Sequence, residues 1–144
     1  MSDVLSEGFD KVEQQLLDKA NGNINLLPTT VANFLLIYSA QGVIDNGGYQ
    51  YFFESDWPMN PPYSRFVEAY SAIGCQKQAE DLARVVATFP FESPHLNSEK
   101  RNQFMEAHYN EDTLNVADWG NLLCGDEEVW NKLETYYLNN INEF

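Results

Sequence analysis

An all-α fold of about six to eight helices, organised as one domain over residues 1–144, is predicted by three observations. Apolar residues recur at helical spacing along most of the chain, and no persuasive period-two run marks a strand. Proline and glycine cut the chain into segments of helical length. Nine Phe, eight Tyr and three Trp within a 44% hydrophobic composition supply a core, although 22 acids against 8 bases leave a net charge of −14. A domain of this length buries roughly 68 to 70% of its unfolded surface, so one core is expected.

The first helix is expected over residues 3–20. Val4, Leu5, Phe9, Val12 and Leu16 fall on one arc of about 140°, which faces the core. Asp3, Glu7, Asp10, Glu13 and Asp18 fall on a second such arc with Lys11 at its edge, an acidic stripe roughly 22 Å long at 1.5 Å per residue. After the Asn21-Gly22-Asn23 turn, Pro28 is placed to begin a second helix with Val31, Phe34, Leu35, Ile37 and Tyr38 inward. It should stop near Asn46-Gly47-Gly48, where glycine takes the cap conformation, and a short aromatic helix should cover residues 49–55.

Trp57-Pro58-Met59-Asn60-Pro61-Pro62 holds too many prolines for a helix or a central strand and predicts an ordered loop. Helix resumes over residues 63–73, with Phe66, Tyr70 and Ile73 inward and Gly74 as the stop. A further helix over 76–89 carries Ala79, Leu82, Val86 and Phe89 inward and ends at Pro90. Residues 91–97 form a loop, and Ser98 caps a helix reaching about residue 109. A short helix is expected over 113–123. The last begins near Asp126 and carries Val129, Trp130, Leu133, Tyr136, Tyr137 and Ile141.

The uncharged stretch from Asn21 to Ile44 is interrupted by Asn, Pro, Thr, Ser and Gln, so it predicts a buried central helix and no membrane span. Cys75 and Cys124, 49 residues apart, give no compact metal spacing and no disulfide framework, and are expected to be reduced packing thiols. The charged, amphipathic start lacks the pattern of a signal peptide and predicts cytoplasmic residence.

Ile44-Asp45-Asn46-Gly47-Gly48-Tyr49-Gln50-Tyr51-Phe52-Phe53, followed by Ala72-Ile73-Gly74 and a helix ending in Phe89-Pro90, resembles the DNA-mimic protein family of small, mostly helical bacterial domains. The likeness is clearest over residues 31–90 and loose in the last third. It implies an all-helical fold and a homodimer; separately, the lack of catalytic and metal-ligand motifs predicts a non-enzymatic protein without cofactor or metal. The implied activity is an acidic surface that imitates duplex DNA and occupies a basic DNA-binding protein such as a transcription factor, while the net charge of −14 itself predicts no direct binding of nucleic acid or membranes. The glycines and aromatics of the signature carry no charge, so they mark the fold and not the mimic surface.

The acids are unevenly placed. Residues 21–101 carry eight acids and five bases, whereas residues 102–144 carry nine acids and Lys132 alone. A halophile's acids should spread evenly, so this pattern favours a local acidic face for a basic partner. The candidate surface comprises the first-helix stripe together with Glu106, Glu111, Asp112, Asp118, Asp126, Glu127, Glu128 and Glu134. Each group also has a plainer reading. Asp126, Glu127 and Glu128 suit the positive end of a helix dipole, and the first stripe suits a solvated face. Duplex DNA carries one charge per about 1.7 Å, or roughly 13 over 22 Å, so five acids on one helix are too dilute and a mimic needs several helices and two subunits. Two alternatives stay open: an immunity or inhibitor protein that neutralises a basic toxin or nuclease, and a helical domain whose charge is incidental.

Catalytic signals are weak. His95, Glu99 and His108 lack a paired-histidine helix pattern, and Asp45 beside Asn46-Gly47-Gly48 lacks the lysine and preceding strand of a phosphate loop, so a helix terminus explains it. Tyr49, Tyr51, Phe52, Phe53 and Trp57 could form a base-stacking platform, but without adjacent positive charge they are expected in the core or a dimer contact.

Overall fold

In a computed structural model that describes residues 3–110, 112 and 115–144, and only the backbone of Asn110 and Asn115, the chain is all-α. Six α-helices are present among the described residues: α1 (Asp3–Asp18), α2 (Thr29–Glu54), α3 (Tyr63–Ala72), α4 (Gln76–Val86), α5 (Ser98–Ala107) and α6 (Glu127–Asn139). A two-residue antiparallel ladder joins β1 (Tyr109–Asn110) to β2 (Asn115–Val116), with Tyr109 opposite Val116.

The uncharged stretch becomes the centre of the molecule. α2 buries Val31, Ala32, Phe34, Leu36, Ile37, Ala40 and Ile44, residues distributed around the helix, and packs against α1, α3, α5 and α6. A helix apolar on all sides is stable only when surrounded. Its buried polar groups are all bonded. Gln41 donates to the Leu123 carbonyl (2.6 Å) and to Asp45 (2.8 Å) and accepts from Tyr70 Oη (2.9 Å), which ties α2 to α3 and to the segment before α6.

Glycine breaks α2 where the sequence predicts. Gly48 takes φ 66° and ψ −162°, a region open essentially to glycine alone, and a Cβ on Gly47 would overlap the Tyr51 ring. The kink turns Tyr49, Phe52 and Phe53 into the core while Tyr51 stays exposed. Gly48→Ala is expected to lower stability by about 1 to 3 kcal/mol, the cost of forcing a side chain into that conformation. Chemical denaturation with an unchanged m-value would measure it.

Beyond the kink an aromatic cluster forms the second half of the core. Phe53 meets Tyr63, Phe89 and Trp119 at ring-centroid distances of 4.9 to 5.1 Å, and Phe52 meets Phe66 at 5.0 Å, mostly edge to face. Trp119 Nε1 donates to Thr88 Oγ1 (2.8 Å) and Tyr49 Oη to Asp81 (2.6 Å), so the polar ends of these rings are satisfied. Arg101 of α5 is 1% exposed and closes the end of α2: its guanidinium donates to the carbonyls of Phe53 (2.8 Å), Pro94 (2.7 Å) and Ser55 (3.4 Å) and to the Asp56 carboxylate (2.8 Å). The Phe53 carbonyl lies in the last turn of α2, where no intrahelical partner exists.

Several local expectations are corrected. No helix covers residues 113–123 among the described positions. Asn115–Val116 is a strand, and Asp118 (φ 73°) and Gly120 (φ 73°) are left-handed, which a helix does not tolerate. The buried residues Val116, Trp119 and Leu123 nevertheless stand three and seven apart, so the segment imitates helical periodicity. The cap of α5 is Asn97, whose side chain accepts from Lys100 N (3.0 Å), and Ser98 is the first helical residue. Val85 is buried where Val86 was expected, because α4 ends at Val86 and the turn after it carries Phe89 inward. Ile141 is exposed in a 3-10 turn that follows α6. Cys75 is a packing thiol, pushed up to about 11 chiefly by burial, but Cys124 is exposed in the loop before α6.

Candidate functional site: an acidic surface of α1 and α6

The two acid-rich ends of the chain pack side by side. Gly8 is the point of closest approach. A Cβ there would stand 2.9 Å from Phe34 Cζ and 3.1 Å from Tyr137 Cδ1, so its absence lets α1 lie on both α2 and α6. Tyr137 Oη donates to Glu7 (3.1 Å), the Lys11 ammonium lies 5.6 Å from the Tyr137 ring centre, and Gln15 Nε2 donates to the carbonyls of Glu143 and Phe144 (3.0 Å each). These contacts advance together along both segments, so α1 and the C-terminal segment run parallel.

All five acids of the α1 stripe, Asp3, Glu7, Asp10, Glu13 and Asp18, are exposed. Glu127 and Glu134 of α6 line a groove of about 510 Å³ with Leu5 of α1, Asp45 and Asn46 of α2, and Trp130. The expected candidates therefore converge in part: the α1 stripe and these two α6 acids belong to adjoining elements.

The remaining candidates divide. Asp126 is half-buried and occupied internally, since it caps α6 by accepting from Glu128 N (2.9 Å) and also accepts from Gln78 (3.0 Å). The fields of Glu128 and Asp126 raise the Cys75 thiol while Lys132 opposes them, which puts Glu128 and Lys132 on the side of α6 toward the start of α4. Glu106 lines a separate cleft of about 560 Å³ with Gln50, Glu54, Asn102, Met105 and Tyr109, against the part of α2 beyond the kink. Asp112 and Asp118 are exposed on the hairpin and the turn after it, and the Asp118 carbonyl accepts from Arg84 (3.3 Å). Glu111 lies outside the described residues.

Among the described residues the ion pairs are Arg84 with Asp81 (3.1 Å) and Arg101 with Asp56 (2.8 Å), neither of which involves α1 or α6. Within α1, Glu7 accepts from Tyr137 Oη (3.1 Å) and Asp18 from Gln14 Nε2 (2.7 Å), both neutral donors that leave the carboxylate charge in place. Burial and then the fields of Asp10 and Glu13 push the Tyr38 phenol up, a local sign of that uncompensated potential.

Asp45 has a role that sequence reasoning missed. Its Oδ1 accepts from Gln41 Nε2 and from Gly125 N, and its Oδ2 from Trp130 Nε1, each at 2.8 Å, so one carboxylate holds α2, the preceding loop and α6 together. No local signal could reveal it, because the partners lie 80 and 85 residues away. His95 meets the Tyr63 ring edge-on at 6.2 Å and His108 stacks on Phe104 at 4.3 Å, and no group of three or more metal-ligating side chains occurs among the described residues.

A family profile described as DMP19-like protein matches residues 25–141, which is most of the chain. The chain belongs to this family. DMP19 denotes DNA mimic protein 19, and at the family level DMP19-like proteins are DNA mimics, generally without catalytic activity. The matched span runs from the 3-10 turn before α2 through α6, so it includes Glu127 and Glu134 but not the α1 stripe. No curated protein and no solved structure was found to match. Among the described residues no helix of this DMP19-like protein is long and apolar enough to cross a membrane.

Proposed function

We propose that this DMP19-like protein is a non-enzymatic regulator that binds a basic DNA-binding protein, such as a transcription factor, through acids of α1 and α6 and thereby blocks its access to DNA. The observation that supports this reading is the parallel packing of the acid-rich termini, which brings carboxylates of two helices onto adjoining elements with no ion pair to either helix among the described residues. A homodimer belongs to the same proposal. The α1 stripe with Glu127 and Glu134 supplies seven acids, about half the roughly 13 phosphates of a 22 Å length of duplex, so two copies would approach the density of DNA.

The test is displacement. Added to a complex of labelled DNA with a basic regulator at low salt, the protein should release the DNA, and its direct binding to the DNA-free regulator should weaken steeply as salt rises, since that contact acts through screened charge. Failure to release DNA from any regulator of the source cell at low salt would overturn the proposal.

A further inference from the structure

The surface beside the α1 stripe is apolar. Phe9 and Leu16 of α1, Ile24 of the 3-10 turn, Leu35 of α2, and Trp57 and Pro58 of the proline loop line a groove of about 270 Å³. That is below the roughly 300 to 1,000 Å³ of a site for a whole small molecule, and suits one or two large side chains projecting from a protein partner. Leu17 (75% exposed), Leu26 (63%) and Met59 (52%) are exposed large apolar residues on the same three segments that supply the groove's lining.

Its charge is as distinctive as its shape. Glu13 lines the groove, and Asp10 is close enough for both carboxylates to act on Tyr38, which stacks on Phe9 at 4.4 Å. The nearest base in sequence, Lys11, is directed away over the Tyr137 ring, and Arg65, on the adjoining surface, is bonded to Asn33 (2.6 Å). An apolar trough with Glu13 in its lining and Asp10 acting on the adjacent Tyr38 complements a segment with apolar anchors flanked by lysine or arginine, whereas a second copy of this acidic chain would bring like charges together.

We infer that this groove docks a basic amphipathic helix of the protein partner, adding an apolar anchor to the charged interface. The inference rests on the proposed function and goes further: part of the affinity comes from burying side chains that duplex DNA does not possess. The anchored partner is held by contacts that salt does not screen.

Two labelled 14-residue helical peptides of equal positive charge serve as probes, one with leucines at i, i+4 and i+7 between lysines and the other with serines at those positions. Fluorescence anisotropy should show the leucine peptide binding at least tenfold tighter, the scale expected for burying one leucine, with the ratio preserved at 0.5 M salt. Leu16→Ser should abolish that preference, and Glu13→Gln should weaken both peptides equally. Equal binding of the two peptides, or an unchanged preference in Leu16→Ser with native circular dichroism, would overturn the inference. Dissociation of a dimer by Leu16→Ser, measured by analytical ultracentrifugation, would assign the groove to self-association and overturn it as well. Leu16→Ser leaving DNA displacement intact would remove the groove alone, whereas loss of displacement in a charge-reversed protein bears on the mimic reading.

Discussion

Reversing Asp3, Asp10, Glu127 and Glu134 to lysine together should weaken displacement of DNA from a basic partner at least a hundredfold while leaving the protein folded. Each is either exposed or at the rim of the α1–α6 groove, and none forms an ion pair among the described residues. An exposed pair contributes about 0.2 to 1 kcal/mol, and reversal replaces attraction with repulsion, so about 0.7 kcal/mol per site over four sites gives two orders of magnitude. The salt dependence should flatten at the same time, because fewer charges remain to be screened.

Stability should respond differently. Each reversal adds two units of charge, so four take the net charge from −14 to −6 and relieve self-repulsion. Against this, Asp3 and Glu127 lie in the first turns of α1 and α6, where a cation costs about 0.3 to 1 kcal/mol each. The two effects are of similar size and opposite sign, so the thermal midpoint should move by only a few degrees. A variant that displaces DNA as well as the parent would show the charge to be a solvated face and nothing more. A variant that lost displacement by unfolding would be recognised by its circular dichroism. Reversing Glu106, Asp112 and Asp118 instead should have little effect, since Glu106 faces a different cleft and the other two lie on the hairpin side.

What could be read from the sequence, and what could not, follows the range of the interactions. The α1 stripe, the break at Gly47-Gly48, the proline loop and the start of α6 rest on neighbours a few residues apart, and each appears where local pattern puts it. The segment 113–123 deceived because Val116, Trp119 and Leu123 keep helical spacing while meeting the core from a strand and turns. Trp119 is fixed by Phe53, Phe89 and Thr88, and tertiary contact of that kind overrides local periodicity. For the site, composition identified the acids, but the meeting of α1 with α6 depends on Gly8, Gln15 and Tyr137, whose partners lie up to 130 residues away. Gly8 gave no sign of itself: in sequence it is only a weak helix former in an amphipathic pattern.

Arg101→Met should destabilise the protein by about 3 kcal/mol or more, the largest loss expected from any single substitution considered. In the sequence Arg101 is one of eight bases and stands beside Lys100, with no local pattern to single it out. In the fold it is the most buried cation, and its guanidinium serves three carbonyls and one carboxylate in a planar fork that lysine cannot reproduce. Methionine keeps much of the stem's apolar packing, so the loss isolates the hydrogen bonds. The Phe53 carbonyl would lose its Arg101 donor and become an unsatisfied buried group costing about 1 to 3 kcal/mol, while the Pro94 carbonyl keeps Asn97 N (3.2 Å) and loses a bond worth about 0.5 to 1.5 kcal/mol. The Asp56 pair adds little, because that carboxylate is 67% exposed and screened. Asp56→Asn should accordingly cost well under 1 kcal/mol, and Arg101→Lys should fall between the two, since one ammonium can reach only part of the set. Denaturant midpoints for the three variants would separate these contributions. Equal losses for Asp56→Asn and Arg101→Met would show that the ion pair, and not the closing of α2, is what Arg101 provides.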